Sequence, residues 1–257
     1  MTSIDISIGE VVASLALVAV AIAVTFWRRT GLEGDYLIAV ARSFVQLVAI
    51  GYVIQAIFDE DSLLLVGALI AVMVLFGAFT ARRRAARVPS AFGPLVVALS
   101  LAAVVTLGLV IGLGIFEPEA RYLVPVGGMV IGNAMTASAV ALNRLGDEFD
   151  DEGPRIEATL ALGATSTQAA APTIRRSMRS AMIPLVDSTK TTGLIFFPGT
   201  MVGMLLAGAE PVDAVRLQIV LLWTLFGAIA ISVLVATTLA YRNFFTSAHQ
   251  LRDPVAP

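Results

Sequence analysis

The chain has 257 residues, 58% of them hydrophobic and 14% charged, with a mean hydropathy of +0.88 and a formal net charge of −2. Soluble domains carry about 25% charged residues, so this composition leaves too little polar surface for solution and points to an all-α, multi-pass membrane protein. The absence of cysteine excludes disulfides, zinc–thiolate centres, iron–sulfur clusters and thiol catalysis, and the absence of a basic domain argues against nucleic acid as a partner.

The chain begins with Thr2, Ser3, Asp5 and Glu10 instead of a positively charged leader, so Ile8 onward reads as a first span and not as a cleaved signal. A spanning helix needs about 20 mostly apolar residues. Seven windows qualify, at 8–27, 36–58, 62–80, 93–116, 121–142, 192–209 and 214–241. The window 192–209 is short and holds Pro198 and several glycines, which suits a broken or re-entrant element. No internal repeat or linker divides the spans, so residues 1–257 are expected to form one membrane domain.

Orientation follows from the basic residues. Arg28 and Arg29 follow the first span, Arg82, Arg83, Arg84 and Arg87 the third, and Arg242 and Arg252 the last. Arg144, Arg155, Arg175, Arg176, Arg179 and Lys190 all fall in the polar interval 143–190 between the fifth and sixth windows. The opposite connections around Asp59, Glu117 and Glu210 are short and acidic. With seven spans, 14 of the 17 basic residues share one side. That places the N-terminus outside and the C-terminus inside a cell inner (plasma) membrane, with 143–190 in the cytoplasm.

Within the spans, polar residues are few. Arg42 and Gln46 are four apart in the second window and share a helix face. Arg42 stands close enough to the helix start to snorkel to the interface, or it lines a pathway. In the fifth window Met129, Asn133 and Thr136 form one stripe, where Asn133 suits an interhelix hydrogen bond or a pathway position. Met73, Met129, Met135, Met201 and Met204 are adaptable side chains that either fill gaps or line a soft route. Glycines four apart recur as Gly108/Gly112, Gly128/Gly132 and Gly199/Gly203. The last two pairs, flanked by Pro125 and Pro198, are expected to be close-packing helix faces.

The polar interval is expected to hold a helix from Pro154 to Ala170, broken or restarted at Pro172, and a second, basic helix from Ile174 to Met182 ended by Pro184. The acidic run Asp147–Glu152 is expected either to cap the first helix or to be a solvated loop. Arg175, Arg176 and Arg179 suit lipid phosphate or an acidic protein surface. His249, the single histidine, reads as a solvated tail residue. No nucleophile elbow, paired histidines or buried carboxylate pair is present, so no catalytic residue is assigned. Lys190 lacks the glycine pattern of a phosphate loop, so ATP chemistry would have to come from another subunit.

Glu157-Ala158 followed by Leu162-Gly163-Ala164 resembles the Glu-Ala-Ala-x-x-x-Gly coupling segment of bacterial ABC permeases, with Thr159 in place of the second Ala. Together with Arg42-x-x-x-Gln46-Leu47, Gly51-Tyr52, the run Gly128 to Met135, Ile183-Pro184, Lys190, Gly193-Leu194, Pro198-Gly199, Met201, Gly203, Pro211 and Gln218, the chain resembles the FetB-type family of ABC permeases, which includes plant aluminium-tolerance proteins. Phe197, Thr200 and Leu217 depart from that pattern. The resemblance implies a permease subunit with no cofactor of its own. Its partners would be an ATP-binding subunit carrying ATP-Mg, a second copy of the permease, and membrane lipid. It implies export of a metal, iron, from the cytoplasm, with a nucleotide sugar as the alternative substrate; metal ligands are left unassigned. An ATP-independent carrier or channel is the rival from the residues alone.

Because the chain has no cysteine, one introduced thiol reports sidedness. Glu117→Cys should react with an impermeant maleimide on intact cells, and Arg155→Cys only after the membrane is broken. The reverse pattern would invert the orientation.

Overall fold

The computed structural model describes residues 7–60 and 62–252; Thr2, Ser3 and Asp5 lie outside them. The described residues form α1 (Ile8–Arg28), α2 (Glu33–Glu60), α3 (Leu63–Arg84), α4 (Phe92–Gly112), α5 (Ala120–Asp151), α6 (Gly153–Ala161), α7 (Ser166–Thr191), α8 (Gly199–Leu206) and α9 (Pro211–Ala240), then a single 3-10 turn, Tyr241–Phe244. No strand occurs among them, only two isolated bridges. Six helices, α1 to α5 and α9, are long and apolar enough to cross a membrane. At 1.5 Å per residue the shortest is about 32 Å long, enough for a hydrocarbon layer of about 30 Å.

The core lies where α3, α4, α5 and α9 meet, with α7 packed on α5 and α9. Small residues make the seams: Ala78, Ala98, Ala102, Ala134, Ala228 and Ala236 are wholly buried. Leu95, Leu99, Leu142 and Leu145 fill the space between them. Helices in lipid gain little from apolar burial against each other, so close backbone approach matters more. Gly77 and Gly127 serve that need: a Cβ on Gly77 would stand 3.3 Å from Leu99 Cδ1, and one on Gly127 3.4 Å from Ile70 Cγ1. The α1–α2 hairpin is different. α1 buries no residue and α2 buries only Ile57, which packs on the core with Ile54 beside it.

Side-chain contacts fix the helix directions. Gly77 meets Ile131, and Gly127 meets Ile70 and Leu107, so α3 runs parallel to α5 and α4 runs against it. Phe149 stacks on Phe244 while Ala137 and Ala141 pack with Ile229 and Val233, so α9 runs parallel to α5. α7 runs against both: Thr167 Oγ1 lies 2.9 Å from Tyr241 Oη, and Ala181 joins Ile229 and Val233.

The window 192–209 does not form a spanning helix. Thr192–Pro198 is non-helical, closed by a Thr192–Phe196 bridge, and α8 has only eight residues. Instead α7 and α8 together run the length of α9 in the opposite direction, because α8 packs on α9 and joins its start through Ala207–Glu210. The expected helix from Pro154 to Ala170 is also corrected, being split into α6 and α7 at Leu162–Thr165. Neither Pro172 nor Pro184 breaks α7, which is continuous over 26 residues. Each proline deletes one N–H donor to the residue four back, and the rest of the ladder holds.

The acidic run is the last turn of α5 and not a cap on α6: Glu152 occupies the α6 N-cap position without a side-chain hydrogen bond. Carboxylates at a helix C-terminus oppose the macrodipole, so they need cations from elsewhere. Arg87, between α3 and α4, donates to Asp147 Oδ1 at 2.8 Å and approaches Asp150 at 3.6 Å. Arg176 of α7 donates to Glu148 at 2.6 Å and reaches Glu152 at 3.1 Å. The hydrogen bond it donates to Glu148 raises the guanidinium of Arg176 above its ordinary basicity and holds it charged. At Gly146 the chain permits the contact with Arg87, since a Cβ there would stand 2.9 Å from Arg87 Cβ.

Gly146→Val should lower stability by about 1–3 kcal/mol through overpacking against the α3–α4 connection. Arg176→Leu should cost about 1 kcal/mol, since the pair is part-exposed. Thermal unfolding in detergent checks both; an unchanged midpoint for Gly146→Val would rule out the close approach.

Candidate functional site

The joint between α6 and α7 is built from local signals. α6 ends at Leu162, with the Gly163 N–H donating to Leu160 O at 2.9 Å and the Ala164 N–H to Thr159 O at 3.3 Å. This is the Schellman arrangement, and it needs a left-handed residue after the cap; Gly163 supplies φ +89°. α7 then starts on a capping box: Gln168 N donates to Thr165 Oγ1 at 3.3 Å and Thr165 N to Gln168 Oε1 at 3.0 Å. The Thr-x-x-Gln spacing is legible in the sequence, and the sequence reading missed it.

α6 is anchored on one face by Ile156, which is 2% exposed. Its other face is open. Glu157, Ala158 and Gly163 are exposed, Ala164 is half-buried, and Leu162 is 90% exposed at the tip of the joint. The five residues singled out in the coupling segment therefore stand together on one outer corner of the molecule. Glu157 borders two cavities, one of about 250 Å³ with Arg87, Asp150 and Arg252, and one of about 500 Å³ with Leu160, Ala164, His249 and Leu251.

Among the described residues no side-chain hydrogen bond joins the pathway candidates of α2 to those of α5 or α8. Arg42 and Gln46 lie on an exposed face of α2, and the Arg42 guanidinium sits 5.9 Å from the Phe76 ring centroid on α3, a cation–π contact. Among the described residues Asn133 makes no interhelix bond; its Nδ2 donates to Met129 O of its own helix at 2.8 Å, and its side chain is exposed beside Thr136. Met73, Met129 and Met135 pack against the core, Met201 is buried on α8, and Met204 is half-buried.

The expected close-packing glycines have few neighbours within this chain. Nothing lies within 4 Å of a Cβ placed on Gly132, Gly199 or Gly203, and Gly128 meets only the tip of Met73 at 3.8 Å. These glycines are on the open sides of α5 and α8. Within this chain the tight approaches fall to Gly77, Gly127 and Gly146, whose faces point at α4, α3 and Arg87.

Ala181 of α7 is level with Ile229 and Val233 of α9. Ten residues on, about 15 Å further along the axis, α7 gives way to Thr192–Pro198. This break is therefore alongside the apolar part of α9 and not at its end. Leu194 and Ile195 in it are 88% and 80% exposed. Irregular backbone at such a depth is tolerated where protein or water covers it. One helix, α7, thus joins the exposed corner at Gly163 to the break.

Sequence reasoning did not single out the groups that hold the corner in place: the anchoring roles of Arg87, Arg176, Tyr241, Asn243 and His249 depend on residues 28 to 154 positions away. Among the described residues, the buried Ser138 Oγ and Gln218 Oε1 also lack hydrogen-bond partners, and the buried Arg176 Nη2 has only its ion pair with Glu152; no local pattern announces that. Among the described residues no group of three or more His, Asp or Glu side chains is placed to hold a metal ion.

Similar proteins match this sequence over most of their length. A protein of Oryza sativa subsp. japonica named UPF0014 membrane protein STAR2 is 41% identical over 244 residues, 95% of this chain and 86% of the rice protein. Protein ALUMINUM SENSITIVE 3 of Arabidopsis thaliana is 38% identical over 245 residues, 95% and 89% of the two chains. The probable iron export permease protein FetB of Escherichia coli (strain K12) is 38% identical over 255 residues, 98% and 97%. No solved structure matches the chain. The family model described as Uncharacterised protein family (UPF0014) matches residues 8–245, and with relatives of this identity and coverage the chain belongs to that family of membrane proteins.

Proposed function

We propose that this chain is the membrane-spanning permease subunit of an ABC transporter, moving a metal, iron, out of the cytoplasm with ATP hydrolysed by a separate subunit. The observation that carries the proposal is the continuity of α7 between the exposed α6–Gly163 corner and the break at Thr192–Pro198. A transporter driven from outside needs a docking point, a rigid lever and a deformable element within the bilayer. These three occur here in that order along 46 residues, from Gly153 to Pro198. Discontinuous helices at membrane depth are a recurrent feature of transport sites.

In this reading Glu157, Ala158, Leu162, Gly163 and Ala164 form the coupling surface. Closure of the ATP-binding partner displaces α6, α7 carries the displacement, and Thr192–Pro198 with α8 changes shape. The open stripe of α5, with Gly128, Gly132, Asn133 and Thr136, then faces the route or a second copy of the chain, since an amide and bare backbone are costly against lipid. Neutral oxygen donors of this kind suit a cation that keeps its own water or chelating ligands. Iron as the cargo is supported by the printed name of the Escherichia coli relative. The clustering of Arg residues at the α6 end supports a cytoplasmic position for it and a C-terminus inside.

Leu162→Asp should leave thermal stability within about 0.5 kcal/mol, because the side chain is free of the core, yet cut partner-stimulated ATP hydrolysis by about tenfold or more, as expected for a central contact residue. Gly163→Trp should also cut the stimulation, at a further cost of about 1–2 kcal/mol in stability for a side chain in the left-handed region. Undiminished stimulation in both would remove the coupling role. Vesicles holding both subunits should move iron only with ATP. Iron movement without ATP would make the chain an independent carrier, and ATP-driven movement of a nucleotide sugar alone would replace the cargo.

A further inference from the structure

The C-terminal tail is folded against the coupling segment by more bonds than a solvated end requires. After Tyr241–Phe244, Phe245 and Leu251 form an antiparallel bridge, Thr246 N donates to Gln250 O at 2.8 Å, and Arg252 N donates to Phe244 O at 2.8 Å. Arg252 Nε adds a bond to Phe245 O at 3.1 Å. The base of this loop is fixed to the bundle. Phe149 stacks on Phe244 with ring centroids 4.1 Å apart, and Asn243 Nδ2 donates to Pro89 O at 2.9 Å.

From that base the tail touches both sides of the Gly163 joint. Leu251 lies over the first residue of α6, with its Cδ2 3.7 Å from where a Gly153 Cβ would stand. His249 Nδ1 lies 3.0 Å from the hydroxyl of Ser166, the first residue of α7. The neighbouring Thr167 hydroxyl is 2.9 Å from Tyr241 Oη. His249 also sits in the left-handed region, at φ +59°. A turn alone would favour glycine there, because a side chain at that φ costs about 1–2 kcal/mol. A histidine held in that conformation, with its ring bonded 83 positions away, is explained by what the ring holds.

We infer that the tail loop Phe245–Arg252 is a splint across the α6–α7 joint, and that His249 is its positioning residue. The inference rests on the coupling reading of α6. A glycine-centred joint bends under load, so displacement of α6 would be dissipated at Gly163 before reaching α7. Leu251 on one arm and His249 on the other, both tied to the end of α9, keep the two arms at a fixed angle. The partner's stroke then reaches Thr192–Pro198 undiminished.

Two substitutions at one position separate the splint from the turn. His249→Gly keeps the backbone conformation without strain and removes the ring. His249→Asn tolerates the left-handed region and places an amide where Nδ1 stood. The full chain is reconstituted in lipid nanodiscs with the ATP-binding subunit, and an environment-sensitive fluorophore is attached to Leu194→Cys, the only thiol. Affinity for the subunit and the ATP-dependent fluorescence change are read separately. His249→Gly should keep the affinity within about twofold and lose about fivefold in the ATP-dependent change, the scale of one hydrogen bond. His249→Asn should restore the change. A full signal from His249→Gly, while Leu162→Asp abolishes subunit binding, would overturn the splint and leave the coupling site standing. Loss of subunit affinity by His249→Gly would make the tail a contact surface instead and overturn the positioning role. No subunit binding by the unsubstituted chain would overturn both.

Discussion

A peptide group in hydrocarbon has no water to bond, and each unsatisfied donor or acceptor there costs several kcal/mol. That constraint underlies the architecture. It makes the apolar segments helical from end to end, and it makes any departure from helix informative. α7 gives way to irregular backbone at Thr192–Pro198, alongside the apolar length of α9. A passage made of a long polar helix and a short apolar one can change shape at low cost, where six unbroken helices cannot. The strongest candidate for motion is thus the place where the general constraint is least well met by the chain itself.

The opposite end obeys a different rule. There water is available, and charge decides. α5 runs far past its apolar stretch and finishes on a cluster of carboxylates, which its own dipole disfavours. Arg87 and Arg176 answer that cluster from two other elements. The cost of placing acids at a helix C-terminus is thereby turned into tertiary attachment of the α3–α4 connection and of α7. The aromatic stack of Phe149 on Phe244 fastens the end of α9 to the same point. α6 is presented from this fixed platform, its apolar residue Ile156 inward and Leu162 outward.

Between platform and break stands α7. Its two internal prolines do not interrupt it, and its start is fixed by a capping box and by hydroxyl contacts to Tyr241 and His249. In the proposed coupling, a continuous α7 and a single left-handed glycine at its foot would give the segment one defined place to bend. The open glycines Gly132, Gly199 and Gly203 belong to the other side of the same design, since they leave faces of α5 and α8 without a neighbour in this chain. In the proposed function the open side of α5 would face the route or a second copy of the chain.

Composition and apolar run length determined that the chain is an all-α membrane protein and fixed most helix positions to within a few residues, because hydrocarbon thickness sets helix length directly. The sequence also carried the residues of the exposed α6 corner, since Glu157-Ala158 and Gly163 form a local pattern. The stop at Gly163 and restart at Thr165 were equally local, through the Schellman and capping-box signals, and were overlooked because the prolines drew the boundary elsewhere. What only the tertiary structure decided were the pairings across distance. Gly127, not Gly128, is the tight contact, because one residue turns a helix face by about 100° and only the neighbouring helices say which face is covered. The acidic run became an anchor, not a cap, because Arg87 and Arg176 arrive from other elements. His249 left the solvated tail for Ser166 for the same reason: a hydrogen bond between residues 83 apart has no signature in either neighbourhood.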